Sequence, residues 1–163
     1  MNIQMSVKLT GSAAVLMSAV VWSIGRVRVE RRKTDELAAF CDFVGYIGEN
    51  IAHFSRPLPE IYSGYSDAAL EESGFFDALS DGGMTAAVRC LGIYGEKECT
   101  DEIKMFAEKI GGGYREEQSG LCEYTKNRLS AMLEKRRSTA HGKEKLYRTI
   151  PLLLALSVIL MFI

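Results

Sequence analysis

The residues of this chain whose types can do chemistry are few: His53 and His141, Cys90 and Cys99, the triplet Gly111-Gly112-Gly113, and the pair Glu116-Glu117. A Cys/His metal site needs close ligand pairs, and the eight residues between Cys90 and Cys99 match no such spacing. The triplet is glycine-rich but lacks the Gly-Lys-Ser/Thr that cradles phosphate, and it reads as a helix stop. Glu116-Glu117 has the composition of a general-base pair, yet carboxylates opening a helix are ordinarily partners of its dipole. His53 follows an apolar helix with no acid or nucleophile in sequence to work with, and His141 sits in a basic tract. No carboxylate loop of the calcium-binding type is present. The sequence therefore predicts no enzyme, no cofactor and no metal.

The charge pattern carries more. The 163 residues sum to −1, but the sign is segregated. Residues 26–33 carry five Lys/Arg and one Glu. Residues 34–125 carry six Lys/Arg against eighteen Asp/Glu, a net of −12, and 126–148 carry eight Lys/Arg against two Glu. An acidic body excludes nucleic acid, whose phosphates require a basic face. The densest acidic spot is Glu96, Glu98, Asp101 and Glu102, four carboxylates in seven residues. These four are the candidate partner-binding residues, fitting a basic protein surface. No small-molecule substrate is expected.

Both ends are apolar. Residues 9–25 hold no charge, and 5–25 is long enough for a bilayer span of roughly 20 residues. A cleavable signal peptide places its bases before the apolar stretch, whereas here Lys8 precedes and Arg26, Arg28, Arg31, Arg32 and Lys33 follow. Residues 146–163 form a second apolar segment of about 27 Å if helical, preceded by Lys143, Lys145 and Arg148. The rival reading of this segment is a buried core helix. Pro151 opens or kinks it. The positive-inside bias of both ends places the middle of the chain in the cytoplasm, as a two-pass membrane protein. The eight bases on the inner flanks, Arg26, Arg28, Arg31, Arg32, Lys33, Lys143, Lys145 and Arg148, are the candidate contacts for anionic headgroups. Cys41, Cys90, Cys99 and Cys122 are then expected as reduced thiols.

The elements that must position these groups read as helices. Leu37, Phe40, Cys41, Val44, Ile47, Ile51 and Phe54 recur at spacings of three and four, with Gly45 and Gly48 admitting a close neighbour. A short helix follows Pro57, and Ser66 or Asp67 caps the next. Helices are predicted over 68–80 and 84–95, broken at Ser80-Asp81-Gly82-Gly83. Thr100 is the predicted N-cap of a helix with Ile103, Phe106, Ala107 and Ile110 on its buried face. A long helix opens at Arg115 and buries Leu121, Cys122, Leu129, Met132 and Leu133. No stretch alternates with period two. The fold class is all-α: a small antiparallel helical bundle flanked by transmembrane helices at 5–25 and 146–163. Within the cytoplasmic part, 26–145, the tracts 26–36 and 134–145 lack large apolar faces and match in length. They read as a basic, antiparallel juxtamembrane stalk.

Several features in order resemble the stage III sporulation protein AB family of endospore-forming bacteria. They are the first apolar span with its Arg-rich continuation, then Pro57-Leu58-Pro59-Glu60, then the Phe106…Ile110-Gly111 helix end. Arg115-Glu116-Glu117-Gln118 and the Lys143/Lys145/Leu146/Tyr147 approach to an apolar tail complete the pattern. The resemblance implies a fold similar to the cytoplasmic helical domain of type II secretion platform proteins. It implies a non-enzymatic component of the channel complex between mother cell and forespore. Its expected partners are a cytoplasmic secretion-type ATPase, stage III sporulation protein AA, and neighbouring membrane subunits. The alternative is a small membrane-anchored regulator whose acidic head recruits a basic cytosolic protein.

Overall fold

A computed structural model describes the backbone of residues 3–54, 56–93 and 97–162, and side chains at 25, 28–54, 56–93 and 97–139. Its elements are helical throughout, and no strand occurs among the described residues. They are α1 (Ile3–Phe54), α2 (Leu58–Ser63), α3 (Ala68–Glu72), α4 (Phe75–Ala87), a 3₁₀ turn (Val88–Cys90), α5 (Lys97–Lys109) and α6 (Arg115–Phe162). The fold is all-α. Two units make up the chain: Arg32–Arg136 is one, the body, and residues 1–31 with 137–163 are the other.

The body is built around its segment of α1. Leu37, Phe40, Phe43, Val44 and Ile47 are fully buried there, a stripe too wide for contact with one neighbour. On one side Phe40 meets Phe75 edge-on at 5.9 Å and Phe106 at 6.1 Å, which ties α1 to α4 and α5. Edge-to-face geometry of this kind is favoured by the ring quadrupoles. On the other side lies α6. Arg115 hydrogen-bonds carbonyls of Ile51 and Ala52, a β-carbon on Gly48 would sit 2.9 Å from Cys122 Cβ, and Cys41 Sγ lies 3.2 Å from Ser130 Oγ. Numbers rise on one helix as they fall on the other, so the two segments are antiparallel. Gly48 is required by this approach: a side chain there would collide with another β-carbon, which cannot swing away.

Several expected boundaries move. A break that the sequence did not signal, at Ser73-Gly74, divides the helix expected over 68–80: Gly74 adopts φ +77 and caps α4. That register buries Phe75 and Leu79 one turn apart. The break expected at 80–83 is present: Gly83, at φ +72 and ψ −173, leaves helical geometry and divides α4 into two helical stretches. The helix expected over 84–95 tightens into the 3₁₀ turn and leaves helical geometry at Leu91; Tyr94 lies outside the described residues. α5 starts at Lys97, so Thr100 is inside the helix and is not its cap. The earlier start puts Cys99, Ile103 and Phe106 on one buried face. Phe54, expected in the core, is 64% exposed at the end of α1. Asp67 does cap α3, accepting from the backbone N–H of Ala69 at 2.8 Å and Leu70 at 3.3 Å.

The apolar stretches at 5–25 and 146–162 lie in α1 and α6, and their side chains are outside the described residues, Gly25 excepted; Ile163 lies outside the described residues altogether. Among the described residues no helix is long and apolar enough to cross a membrane. α6 runs through Pro151, so this proline does not open a helix.

Candidate docking surfaces

Arg115-Glu116-Glu117-Gln118 serves the fold. Arg115 brings a cation to the C-terminal carbonyls of α1, where unpaired acceptors and the helix dipole favour it. Glu117 accepts from the N–H of Tyr114 at 3.3 Å. Gln118 is 8% exposed; its Oε1 accepts from Gly111 N–H at 2.7 Å and its Nε2 donates to the carbonyls of Lys109 and Gly112. One amide thus satisfies three backbone groups of the α5–α6 turn. Gly113 belongs there for two reasons: φ is +94, and a β-carbon would strike Glu117 Oε2. The glycine triplet is a stapled turn.

His53 is exposed beside Phe54, and His141 lies outside the described side chains. Among the described residues no group of three or more His, Cys, Asp or Glu is placed to hold a metal ion. The four cysteines are free thiols; Cys41, Cys99 and Cys122 are buried and Cys90 is exposed. Burial pushes the Cys122 thiol up from 9.0 to about 11. Tyr62 is pushed from 10.0 to about 12, by burial first and then by Cys122. Both groups are held neutral in the native state, so the unfolded chain releases their protons at lower pH. Stability is therefore full below about pH 9 and falls as pH rises through 9–12. A urea midpoint series across that range is expected to decline, and Cys122→Ala to flatten its lower part. A midpoint that is constant from pH 8 to 11 would contradict this.

The candidate acidic cluster divides. Glu96 lies outside the described residues. Glu98 is 3.4 Å from Lys135 Nζ and Glu102 is 2.9 Å from Arg128 Nε, both bases on α6. The hydrogen bond that Arg128 donates to Glu102, and then the charge of Glu102, raise the Arg128 guanidinium further above its ordinary value. These two carboxylates join α5 to α6, and Asp101 remains an exposed carboxylate on α5. The candidate headgroup bases also divide. Arg26, Lys143, Lys145 and Arg148 lie outside the described side chains, and Arg28 and Arg31 are exposed. Lys33 is half-buried. Arg32 belongs to the body: its Nε is 3.1 Å from Glu36 Oε1 and its Nη2 donates to the Glu72 carbonyl at 3.1 Å.

A second acidic region was not singled out by sequence. Residues 57–88 hold six Asp/Glu and no Lys or Arg. Around their start lies a half-buried aromatic strip. The Tyr65 ring is 5.1 Å from Tyr46 and 6.4 Å from Phe76, and all three residues pack against the core. Density of charge within seven residues drew attention to 96–102; the absence of bases over 32 residues is the signal that finds this face.

Comparison with family models, curated proteins and solved structures finds no match to the chain.

Proposed function

We propose that the chain is a non-enzymatic, two-pass membrane component whose helical body is a cytoplasmic docking platform. In this reading it serves a sporulation channel complex of the stage III type, with a secretion-type ATPase and neighbouring membrane subunits as partners. The observation that carries it is the polarity of the ends. Residues 1–31 and 137–163 form one unit, each with an uncharged helical stretch and, Lys8 apart, its Lys/Arg on the side nearer the middle of the chain. Bases on that flank favour cytoplasmic retention of the segment they border. The net −12 of residues 34–125 repels an anionic bilayer, while the bases around them attract it. The motifs that remain, Arg115 to Gln118 and the glycine triplet, have structural roles, which suits a scaffold.

The native cysteines provide the test. Cys90 is the exposed thiol and the other three are buried. In cells, a membrane-impermeant maleimide is expected to leave Cys90 unlabelled until the membrane is permeabilised. After solubilisation Cys90 reacts first, and denaturation raises the count to four. Labelling of Cys90 in intact cells, recovery of a shortened chain from the medium, or fewer than four thiols with oxidation blocked would each sink the proposed topology. The ATPase partnership is tested separately, by co-purification from sporulating cells after detergent extraction; loss of the ATPase during mild extraction with the other subunits retained would assign the platform role elsewhere.

A further inference from the structure

We infer that the aromatic strip Tyr46–Tyr65–Phe76, edged by Asp42 and Asp67, is where the body docks an arginine-bearing segment of a protein partner. The inference rests on the body being a docking domain, and is independent of its membrane attachment and of the ATPase as partner.

The strip joins three separate parts of the chain: α1, the turn before α3, and α4. Its rings lie on Phe43, which is fully buried, at 5.0 Å for Tyr65 and 6.1 Å for Phe76. One side of each ring is thus fixed by the core while part of it reaches solvent. The Tyr46 hydroxyl donates to the Gly64 carbonyl at 3.3 Å, which holds the turn against α1. Two carboxylates act on the same place. The Tyr65 phenol is raised above its ordinary value by burial first, then by the charges of Asp67 and Asp42. Asp42 lies one helical turn before Tyr46, and Asp67 is fixed by its capping bonds to Ala69 and Leu70.

Among the described residues no salt bridge joins Asp42 or Asp67 to a Lys or Arg. No Lys or Arg occurs from 57 to 88, and the cations that reach into the segment, Arg32 and Arg56, sit at Glu72 and Glu60. The surface therefore offers half-buried aromatic rings beside carboxylates that, among the described residues, pair with no Lys or Arg. That pairing suits guanidinium better than ammonium, because a planar guanidinium stacks on a ring while its edge donates to carboxylate. A second copy of this body is a poor occupant, since it would bring a net negative charge of its own, −7 over residues 32–136.

The test uses the full-length chain in a zwitterionic detergent, with labelled nona-arginine and nona-lysine peptides as probes read by fluorescence anisotropy. Nona-arginine is expected to bind more tightly than nona-lysine. Asp42→Asn with Asp67→Asn should weaken nona-arginine about fivefold, the Asn at 67 keeping the cap. Tyr65→Leu should weaken it by a similar factor, about threefold to fivefold, and Tyr65→Phe should leave it unchanged. Glu98→Gln with Asp101→Asn, on α5, should change it by less than about twofold. Equal loss from both pairs of carboxylates, with Tyr65→Leu neutral, would reduce the effect to diffuse attraction and overturn the proposal. A dimer in light scattering that Tyr65→Leu converts to monomer would give the strip to a second copy and overturn it equally. If Tyr65→Leu fails to fold, the two Asp→Asn substitutions and Tyr65→Phe decide. Failure here with Cys90 still shielded in intact cells would leave the membrane topology standing.

Discussion

Phe40→Ala is expected to lower the unfolding free energy of the body by about 3–5 kcal/mol. Phe40 is fully buried and its ring is shared between Phe75 of α4 and Phe106 of α5. Truncation removes apolar area and leaves a hole bounded by three helices that are held elsewhere. Collapse to fill it would have to move Phe43 and Phe75, which are packed on each other at 5.5 Å. A domain of this size has about 5–15 kcal/mol in total, so the variant should retain little margin. Urea unfolding of the full-length chain, followed by the exposure of Cys99 and Cys122, measures the loss. Phe54→Ala is the matched control: that ring is 64% exposed and its removal should change stability by less than about 0.5 kcal/mol. Equal costs for the two would mean that Phe40 does not join the helices.

The contrast between Phe40 and Phe54 also shows what periodicity can and cannot tell. Spacing by three and four selects Leu37, Phe40, Val44, Ile47 and Ile51 correctly, because α1 buries that face along the body. The same spacing selects Phe54, where the helix outlives its neighbours. It passes over Phe43, which lies beside the stripe and is fully buried, since α1 has partners on more than one side. Periodicity reports the direction of a face. The width of the face and where it stops depend on how many elements surround the helix, which is tertiary information.

Glycines divide in the same way. The close approach at Gly48 was readable, because a glycine in an apolar helix face has few other uses. The break at 80–83 was also readable, from its two adjacent glycines, and Gly83 makes it with φ +72. The break that a lone glycine did not signal is at Gly74, with φ +77, where Phe75 and Leu79 both reach the core from the helix that follows. In the candidate sites, carboxylate density pointed to 96–102, yet α6 supplies Lys135 and Arg128 to Glu98 and Glu102 from 26 to 37 residues away. Such long-range neutralisation leaves no local trace in sequence.

Glu36→Ala is the other substitution with a large expected effect, about 2–4 kcal/mol, because it strips a buried acceptor from two donors. Sequence placed residue 36 at the end of the basic juxtamembrane stalk, 26–36. In the body it is 2% exposed, with Arg32 Nε at 3.1 Å on one oxygen and the Gly92 N–H at 2.6 Å on the other. Gly92 has to be glycine for this: a β-carbon would lie 2.9 Å from Glu36 Oε2. The carboxylate thus fastens the segment between Leu91 and Ile93, both buried, to the first turns of α1 in the body. Alanine leaves the Gly92 N–H without its partner and the Arg32 guanidinium with only Glu72. Glutamine can accept from one donor but presents its own N–H₂ to the other, so Glu36→Gln should fall between wild type and alanine. Arg32→Ala should cost less than Glu36→Ala, because Arg32 is half exposed and water replaces its bonds. Hydrogen exchange separates this account from general loosening. Glu36→Ala should accelerate exchange at the Gly92 amide well beyond the change in global stability, whereas Phe40→Ala should speed exchange throughout the body in proportion to it. Uniform acceleration in both variants would show that Glu36 is merely buried and does not fasten the loop. Selective acceleration would place a charged latch where α1 enters the body, with Arg32 serving the fold rather than a lipid headgroup.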